Sequence, residues 1–494
     1  MKFGGSSISS GANIQRVLSI IDKQRAQSAV AVVLSAAGQT TNRLVSMLEY
    51  AERRDTSGAL QIQRELKEFH LDLAETLLSR HDLDHVDRKI RTVFRDMHLR
   101  MLDIADEGRS TTPELKDEIL SVGERLSSLL VAFALQGAGI SAQHFDSRKL
   151  ILTDDRFTDA QPLLWETYAK IRWSLPHALK KAVAVAGGFI GSTANGRTTT
   201  LGRGGSDLTA ALFGAAMNAS SIQIWKDVDG FLTCDPRLRS GGFCLKSLSY
   251  QEAEELARAG AKILHPESIA PAKRLRIPVI IRNTFRPHVE GTTIGVRQPT
   301  SANLVKSISC RTNVTVLELR PVDSERISLE RVLAQLESCE SQEITGEILG
   351  RTETAVYLGL RGSIRDYASN FAFGQCCACR VHGDQAVLTL VGDGLVGNNQ
   401  IEEQIRFALG DDRAALLLPR NASSCCHIRL AVPAARVVAY INLLHNAFFG
   451  KVDPCLFVGP EKRRNEKVVG KTGEIESCTA AKSRVPAGRR LAYS

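Results

Sequence analysis

A lysine, two glycines and two serines stand almost at the start of the chain: "KFGGSS" supplies Lys2, Gly4, Gly5 and Ser6. Similar clusters recur. "LSAAGQTTN" supplies Ser35, Thr40 and Thr41, and "LGRGGSD" runs from Arg203 to Asp207. "WKDVDGFLTCDPR" carries Asp227, Asp229, Asp235 and Arg237, and "GAKILHPE" carries Lys262 and His265. Each puts glycines, hydroxyls, a cation or an acid on a turn beside a short apolar run. Gly204 and Gly205 lead into an apolar helix, whose first N–H groups lack internal partners and favour negative charge. Ser206 or Asp207 can cap that helix. Arg203 can hold a carboxylate or phosphate through two parallel hydrogen bonds. Alone, each cluster also reads as an ordinary turn or capped helix. Together they suit phosphoryl transfer, which needs cations at the oxygens of the moving phosphate, alignment, and little covalent help. A magnesium ion bridging phosphates keeps most of its waters and needs few protein ligands; no protein metal ligands are assigned. The Walker pattern and the protein-kinase His-Arg-Asp and Asp-Phe-Gly set are absent, so a nucleotide must be held another way.

The elements that position these turns alternate. "KFGGSSI" reads as a strand end and glycine turn, "GANIQRVLSIIDKQRAQ" as a helix, and "AVAVVLSAAGQTTN" as a buried strand and loop. Residues 41–137 read as helices almost throughout, with apolar residues three and four apart. Strand–helix alternation resumes with "SAQHFDSRKLIL", "AVAVAGGFIG", "SSIQIWKDVDGF" and "IPVIIRNT". That order predicts an α/β, three-layer domain with a mostly parallel sheet, whose ligands bind beyond the carboxyl ends of the strands. Near residue 300 the texture changes to alternating strands, "SISCRTNVTVLELRP", "ETAVYLGLRG" and "QAVLTLVGDG", with the helix "ISLERVLAQLES" between two of them. This predicts a smaller α+β region of two modules. Residues 456–494 read as a polar, basic, disordered tail.

Composition narrows the class. The 494 residues are 43% hydrophobic and 24% charged, ordinary for a globular protein. No apolar run is long enough to cross a bilayer, and no secretory signal is read, so a cytoplasmic location and no membrane partner are expected. The net charge of +9 does not indicate nucleic acid. Residues 461–494 hold nine Lys/Arg and four Glu, so +5 of it lies in the tail, and aromatics are only 5%. Of eleven cysteines, only Cys234 and Cys244 precede residue 300. The Cys-x-x-Cys pair Cys376 and Cys379 and the neighbours Cys425 and Cys426 lack a second pair at ligand spacing, so buried thiols are expected rather than a metal or redox centre.

Six stretches in unbroken order carry a family resemblance: "KFGGSS", "VVLSAAGQTTN", "SVGERLSS", "GFIGSTANGRTTTLGRGGSD", "IWKDVDGFLTCDPR" and "LSYQEAEELARAGAKILHP". They resemble aspartate kinase, of the amino-acid kinase fold, over about residues 1–295. The resemblance implies a catalytic domain at 1–295 with a helical substrate subdomain at about 41–137. It implies ATP-dependent phosphorylation of the β-carboxylate of L-aspartate, with Mg2+, giving 4-phospho-L-aspartate on the way to lysine, threonine and methionine. By the same resemblance Lys2 stabilises the transferring phosphoryl group, beside Gly4, Gly5 and Ser6. Glu124 pairs with the substrate α-amino group, Arg203 clamps a carboxylate, and Ser35, Thr41 and Ser206 line the substrate side. Asp207 organises lysine and substrate, and Asp227, Leu232, Arg237 and Lys262 fall on the nucleotide side.

The chain departs from the pattern in places. Only Met1 precedes Lys2, Lys226 stands where Thr or Ser is common, and Leu232 stands where a tyrosine is common. Residues 300–455 resemble two degenerate ACT modules, similar to those of aspartokinase–homoserine dehydrogenase fusions but with no Gly-x-Gly-x-x-Gly turn after them. Such modules imply a homodimer. Two other readings remain: a kinase for another amino acid, and a non-catalytic regulatory or partner subunit.

Overall fold

The computed structural model describes residues 1–107, 111–296, 301, 303–321, 345–352, 354–361, 377–395, 398–410, 414–418 and 426–459. Strand β1 (Lys2–Phe3) leads through a short turn into α1 (Gly11–Arg25) and β2 (Ala31–Leu34). Then come α2 (Thr40–Glu52), α3 (Thr56–Leu77), α4 (Arg80–Glu107), α5 (Pro113–Leu120) and α6 (Val122–Gly137). The sheet resumes with β3 (Ala142–Phe145), α7 (Leu164–Leu179), β4 (Val183–Gly187), and the hairpin β5 (Ile190–Ser192) and β6 (Thr198–Thr200). Next are α8 (Gly205–Met217), β7 (Ile222–Lys226), β8 (Cys244–Leu245), β9 (Ser247–Ser249) and α9 (Tyr250–Arg258). The part closes with α10 (Ala270–Arg274), β10 (Val279–Asn283) and β11 (Thr292–Gly295).

Among the described residues the main sheet has the order β3-β4-β2-β1-β7-β10-β11-β9. Pairing is parallel from β3 through β10, then antiparallel to β11. Side-chain alternation assigns the two faces. Phe3, Val32, Leu34, Val185 and Trp225 pack toward α1 to α6, and Phe3 stacks on Trp225. Val33, Ala184, Ala186, Ile222 and Ile224 pack toward α7 to α10. The result is the expected three-layer arrangement. Helix α8 lies tight against the sheet because its residues are small, and nearly all of them are buried.

The C-terminal part contains β12 (Ser307–Pro321), β13 (Thr345–Arg351), β14 (Val356–Arg361), β15 (Cys377–Val391), α11 (Asn399–Leu409), β16 (Leu416–Leu417), β17 (His427–Pro433), α12 (Val437–Phe449) and β18 (Phe457–Val458). One antiparallel sheet, β13-β14-β12-β15-β17-β16, joins what the sequence suggested as two modules. The helix expected at "ISLERVLAQLES", together with Cys376 and Cys425, lies outside the described residues. Phe457 is buried, meets Phe449 edge-on, and pairs in register with Leu245 of β8. Regular structure therefore continues past 456, where the tail was expected to begin.

The two parts are joined by buried polar contacts. Ile308 N–H donates to the Thr233 carbonyl at 2.8 Å, and Lys246 N–H to the Leu456 carbonyl at 2.8 Å. Lys306 Nζ meets Glu252 Oε2 at 2.8 Å, with side chains 5% and 0% exposed. Glu252 also closes a capping box with Ser249 at the start of α9. Removing one member of a buried pair leaves the other charge uncompensated, which costs about 3–5 kcal/mol. Lys306→Met is therefore expected to lower unfolding free energy by that amount in urea titration of the full chain. Lys306→Met with Glu252→Gln should recover part of it. A loss from the single variant below about 1 kcal/mol, the range of a surface pair, would exclude this clamp.

Candidate active site

Strands β1, β2, β4 and β7 end at one edge of the sheet, where α6 and α8 begin. The approach is close. A Cβ on Gly187 would stand 2.9 Å from the Glu124 carbonyl, and one on Gly188 would stand 2.7 Å from Ser206 Cβ. The "AVAGGF" glycines thus let both helix starts reach the strand end. Phe189 follows with φ of 68°, its N–H held by Thr209 Oγ1 at 3.1 Å. A bulky residue in that region marks local strain, which concentrates at functional sites.

Gly204 has φ of 79° and forms the N-cap of α8 with no side-chain cap. A Cβ there would fall 2.5 Å from His265 Cβ. This corrects the sequence expectation that Ser206 or Asp207 caps the helix. Both lie inside its first turn and are buried. The Asp207 carboxylate is engaged elsewhere: Lys2 Nζ lies 2.7 Å from Oδ1 and Lys226 Nζ lies 3.0 Å from Oδ2. Burial alone would raise the Asp207 pKa, but the two ammoniums outweigh it and hold the carboxyl below its ordinary value. Burial pulls Lys2 below the usual lysine value, and Asp207 opposes that shift.

Glu124, in the first turn of α6, is 3% exposed. Its Oε1 accepts the Ala36 N–H at 3.0 Å, and its Oε2 has no partner among the described residues. Burial raises its pKa to about 8. Near neutrality it is therefore mostly an uncharged acid with one vacant oxygen, and an arriving ammonium would restore its charge.

The remaining expected residues distribute as follows. Gly4 donates its N–H to the Trp225 carbonyl at 3.0 Å, and the Gly5 carbonyl accepts the Gly38 N–H at 3.0 Å. Ser6 is half-buried, its carbonyl taken by Ser9 Oγ at 3.1 Å. The Ser35 carbonyl accepts the Ser127 hydroxyl at 2.7 Å, and Thr41 lies half-buried in the first turn of α2. An open cleft of about 1020 Å³ is lined by Arg203, Asp207, Lys226, Arg237 and Lys262, with Arg311 of the C-terminal sheet on its far wall. Arg203 and Lys262 are exposed, whereas Arg237 is bound twice by Asp235. Asp227 and Leu232 do not line this cleft. Asp227 is exposed, and the Leu232 carbonyl accepts the Ser307 hydroxyl at 2.7 Å. Asp229 is tied to Asn283 at 2.7 Å and to Arg286 at 2.5 Å. No group of three His, Cys, Asp or Glu side chains that could hold a metal occurs among the described residues. None of their helices is long and apolar enough to cross a membrane.

Sequence reasoning assigned no role to Lys226. Its signal was its position two residues beyond Ile224, the register partner of Lys2, which places it on the same face.

A sequence model of the Amino acid kinase family matches residues 1–283. Lysine-sensitive aspartokinase 3 of Escherichia coli is 34% identical over 463 residues, covering 91% of this chain and 98% of that one. The chain belongs to the aspartokinases. It is a kinase, a transferase of amino-acid biosynthesis. Aspartokinase 1 of Arabidopsis thaliana chloroplasts is 29% identical over 92% of this chain and 80% of its own. E. coli aspartokinase III, solved in complex with aspartate and ADP, superposes with a TM-score of 0.76 at 28% identity, covering 91% of this chain and 99% of that one. Its complex with lysine and aspartate gives 0.75 at the same identity.

The raised pKa of Glu124 has a thermodynamic consequence. The folded, ligand-free aspartokinase retains a proton that the unfolded chain releases above about 4.5. This stability is complete below that pH and is lost as pH rises toward 8. Glu124→Gln removes the titration and keeps the Ala36 acceptor. The ligand-free variant is expected to exceed the parent by about 1–3 kcal/mol at alkaline pH, with little difference near pH 5. Urea unfolding across pH 5–9 reads this; a variant no more stable than the parent at the alkaline end would refute it.

Proposed function

We propose that this chain transfers the γ-phosphoryl group of ATP to the β-carboxylate of L-aspartate, forming 4-phospho-L-aspartate and ADP. The observation that carries the proposal is the facing pair of unmet needs: a buried Glu124 with a vacant oxygen, and a lysine pair with positive charge left over beside Arg203. An amino acid with a second carboxylate meets both. The complex of E. coli aspartokinase III with aspartate and ADP supports the same assignment.

In this reading the aspartate ammonium sits at Glu124, which becomes a carboxylate in response. Arg203 clamps a substrate carboxylate, and Ser35, Thr41 and Ser206 border it. The β-carboxylate is ionised at neutral pH, so it attacks phosphorus without a general base. One oxygen–phosphorus bond forms, the bond to the β-phosphate bridging oxygen breaks, and ADP leaves. Lys2 faces the charge on the moving group and Asp207 fixes its position. Gly4, Gly5, Ser6, Arg237 and Lys262 serve the nucleotide side. Asp227 and Leu232 would join them only toward the base or ribose, since neither lines the phosphate cleft. The described residues form no acidic cage, so Mg2+ would be held by the nucleotide phosphates and water and would supply positive charge there. A homodimer through the C-terminal region fits the position of β13 and β16 as the outer strands of the sheet among the described residues, and the 90% exposed Phe407 on α11.

The test is aspartyl phosphate formation by the full chain with ATP, Mg2+ and aspartate, trapped with hydroxylamine. Lys2→Ala is expected to reduce kcat by about a thousandfold. Arg203→Ala should raise KM for aspartate by about ten- to a hundredfold, with a smaller effect on kcat. Glutamate should give little product. Folded protein that makes no hydroxamate with either acid would overturn the kinase assignment and favour a binding subunit.

A further inference from the structure

We infer that Lys226 is a second phosphate-holding cation, facing the nucleotide phosphates from the opposite side of Asp207 to Lys2. The inference rests on the reading of this cleft as the nucleotide site.

Strand register comes first. Lys2 pairs with Ile224 and Phe3 with Trp225, so Lys226 follows on the face that Lys2 and Ile224 share. Each lysine takes one oxygen of the same carboxylate. The second argument is charge balance. Two ammoniums share one carboxylate, and Glu124, with its pKa near 8, does not neutralise the surplus near pH 7. Lys2 alone already balances the charge of Asp207, and a further ammonium in a largely buried site is costly unless an anion meets it. The third argument is room. The Lys2 side chain is 7% exposed and that of Lys226 is 20%, and Lys226 lines the cleft. An ammonium has three N–H donors. Among the described residues the contacts of Lys226 are Asp207 and the Ile263 carbonyl, which leaves one donor for the cleft. The Ile263 contact also ties Lys226 to the loop that carries Lys262 and His265. A threonine or serine, common at this position in the family, would bring a hydroxyl but no charge.

The groups facing the pair are Asp207 from α8 and Glu124 from α6. Arg203, Lys262, His265 and the Asp235–Arg237 pair stand along the cleft wall. The charge of Lys226 helps hold the Lys2 pKa down. Neutralising Lys226 lets that pKa rise, so any alkaline limb set by Lys2 must move to higher pH.

The experiment compares the full-length parent with Lys226→Met, Lys226→Thr and Lys226→Arg. Calorimetry reads ATP and adenosine binding, and hydroxamate trapping reads kcat, KM and the pH profile. Circular dichroism checks folding. Lys226→Met is expected to weaken ATP binding by about tenfold and leave adenosine binding unchanged. It should also shift the alkaline limb of kcat/KM upward. Lys226→Arg should restore both, and Lys226→Thr should fall between. Folded Lys226→Met that binds ATP like the parent overturns the inference, as does one that loses adenosine affinity equally. A parent that binds ATP but forms no aspartyl phosphate sinks the proposed function alone, and the calorimetry still decides Lys226. A parent that binds no ATP sinks both.

Discussion

The Asp207 carboxylate, held between two ammoniums, is the constraint around which the catalytic part is arranged. It sits in the first turn of a buried helix, where the backbone already favours negative charge. Lys2 and Lys226 reach it from adjacent central strands more than two hundred residues apart in sequence. The result is a small region of surplus positive charge at the carboxyl edge of a parallel sheet. Folding tolerates that surplus because the region opens into the cleft. The same surplus favours an anion at this edge.

Everything near this ion triad is spaced by residues that give up side-chain volume. Gly187 and Gly188 let α6 and α8 converge on the end of β4, and the small residues of α8 keep it low on the sheet. Convergence brings Glu124 to the same sheet edge as the triad, with Oε2 unpartnered among the described residues. A carboxyl buried in this way weakens the empty protein as pH rises, which is the opposite of what a stabilising acid does. Binding a cationic amine reverses the sign. Under the proposed function the site trades ligand-free stability for affinity, a trade typical of active sites.

Much of this was legible in the sequence, and the exceptions have physical causes. Apolar periodicity and glycine turns marked the strands and the helical stretch. The small-residue run after "LGRGGSD" marked α8. Glu124 was visible only through the family resemblance, since an acid in "VGERLS" looks like any helical acid until its neighbours bury it. Lys226 was visible only as a departure, because nothing in "IWKD" says which face its side chain takes until Lys2 is paired with Ile224. The helix cap was misread because Gly204, in a left-handed conformation against His265, already makes the turn. The Asp207 side chain was then free for the lysines. The start of the tail was misjudged because Phe457 finds its partners, Leu245 and Phe449, only in the folded chain.

The C-terminal sheet adds a last constraint. Helix α9 is gripped from that side by Lys306 on Glu252 and by His427 on Glu255, at 2.8 and 3.0 Å. The loop that follows α9 carries Lys262 and His265 into the cleft, and its Ile263 carbonyl receives Lys226. Arg311, from the same sheet, lines the far wall while paired to Glu347. The sheet therefore meets the cleft at two places, through α9 and its following loop and at Arg311. Helix α9 is held to the C-terminal sheet both by these polar contacts and by Tyr250, Ala253 and Leu256, which share one apolar core with Ile308, Leu388 and Ile428, so a shift of the sheet bears on the helix that leads into the loop touching Lys226.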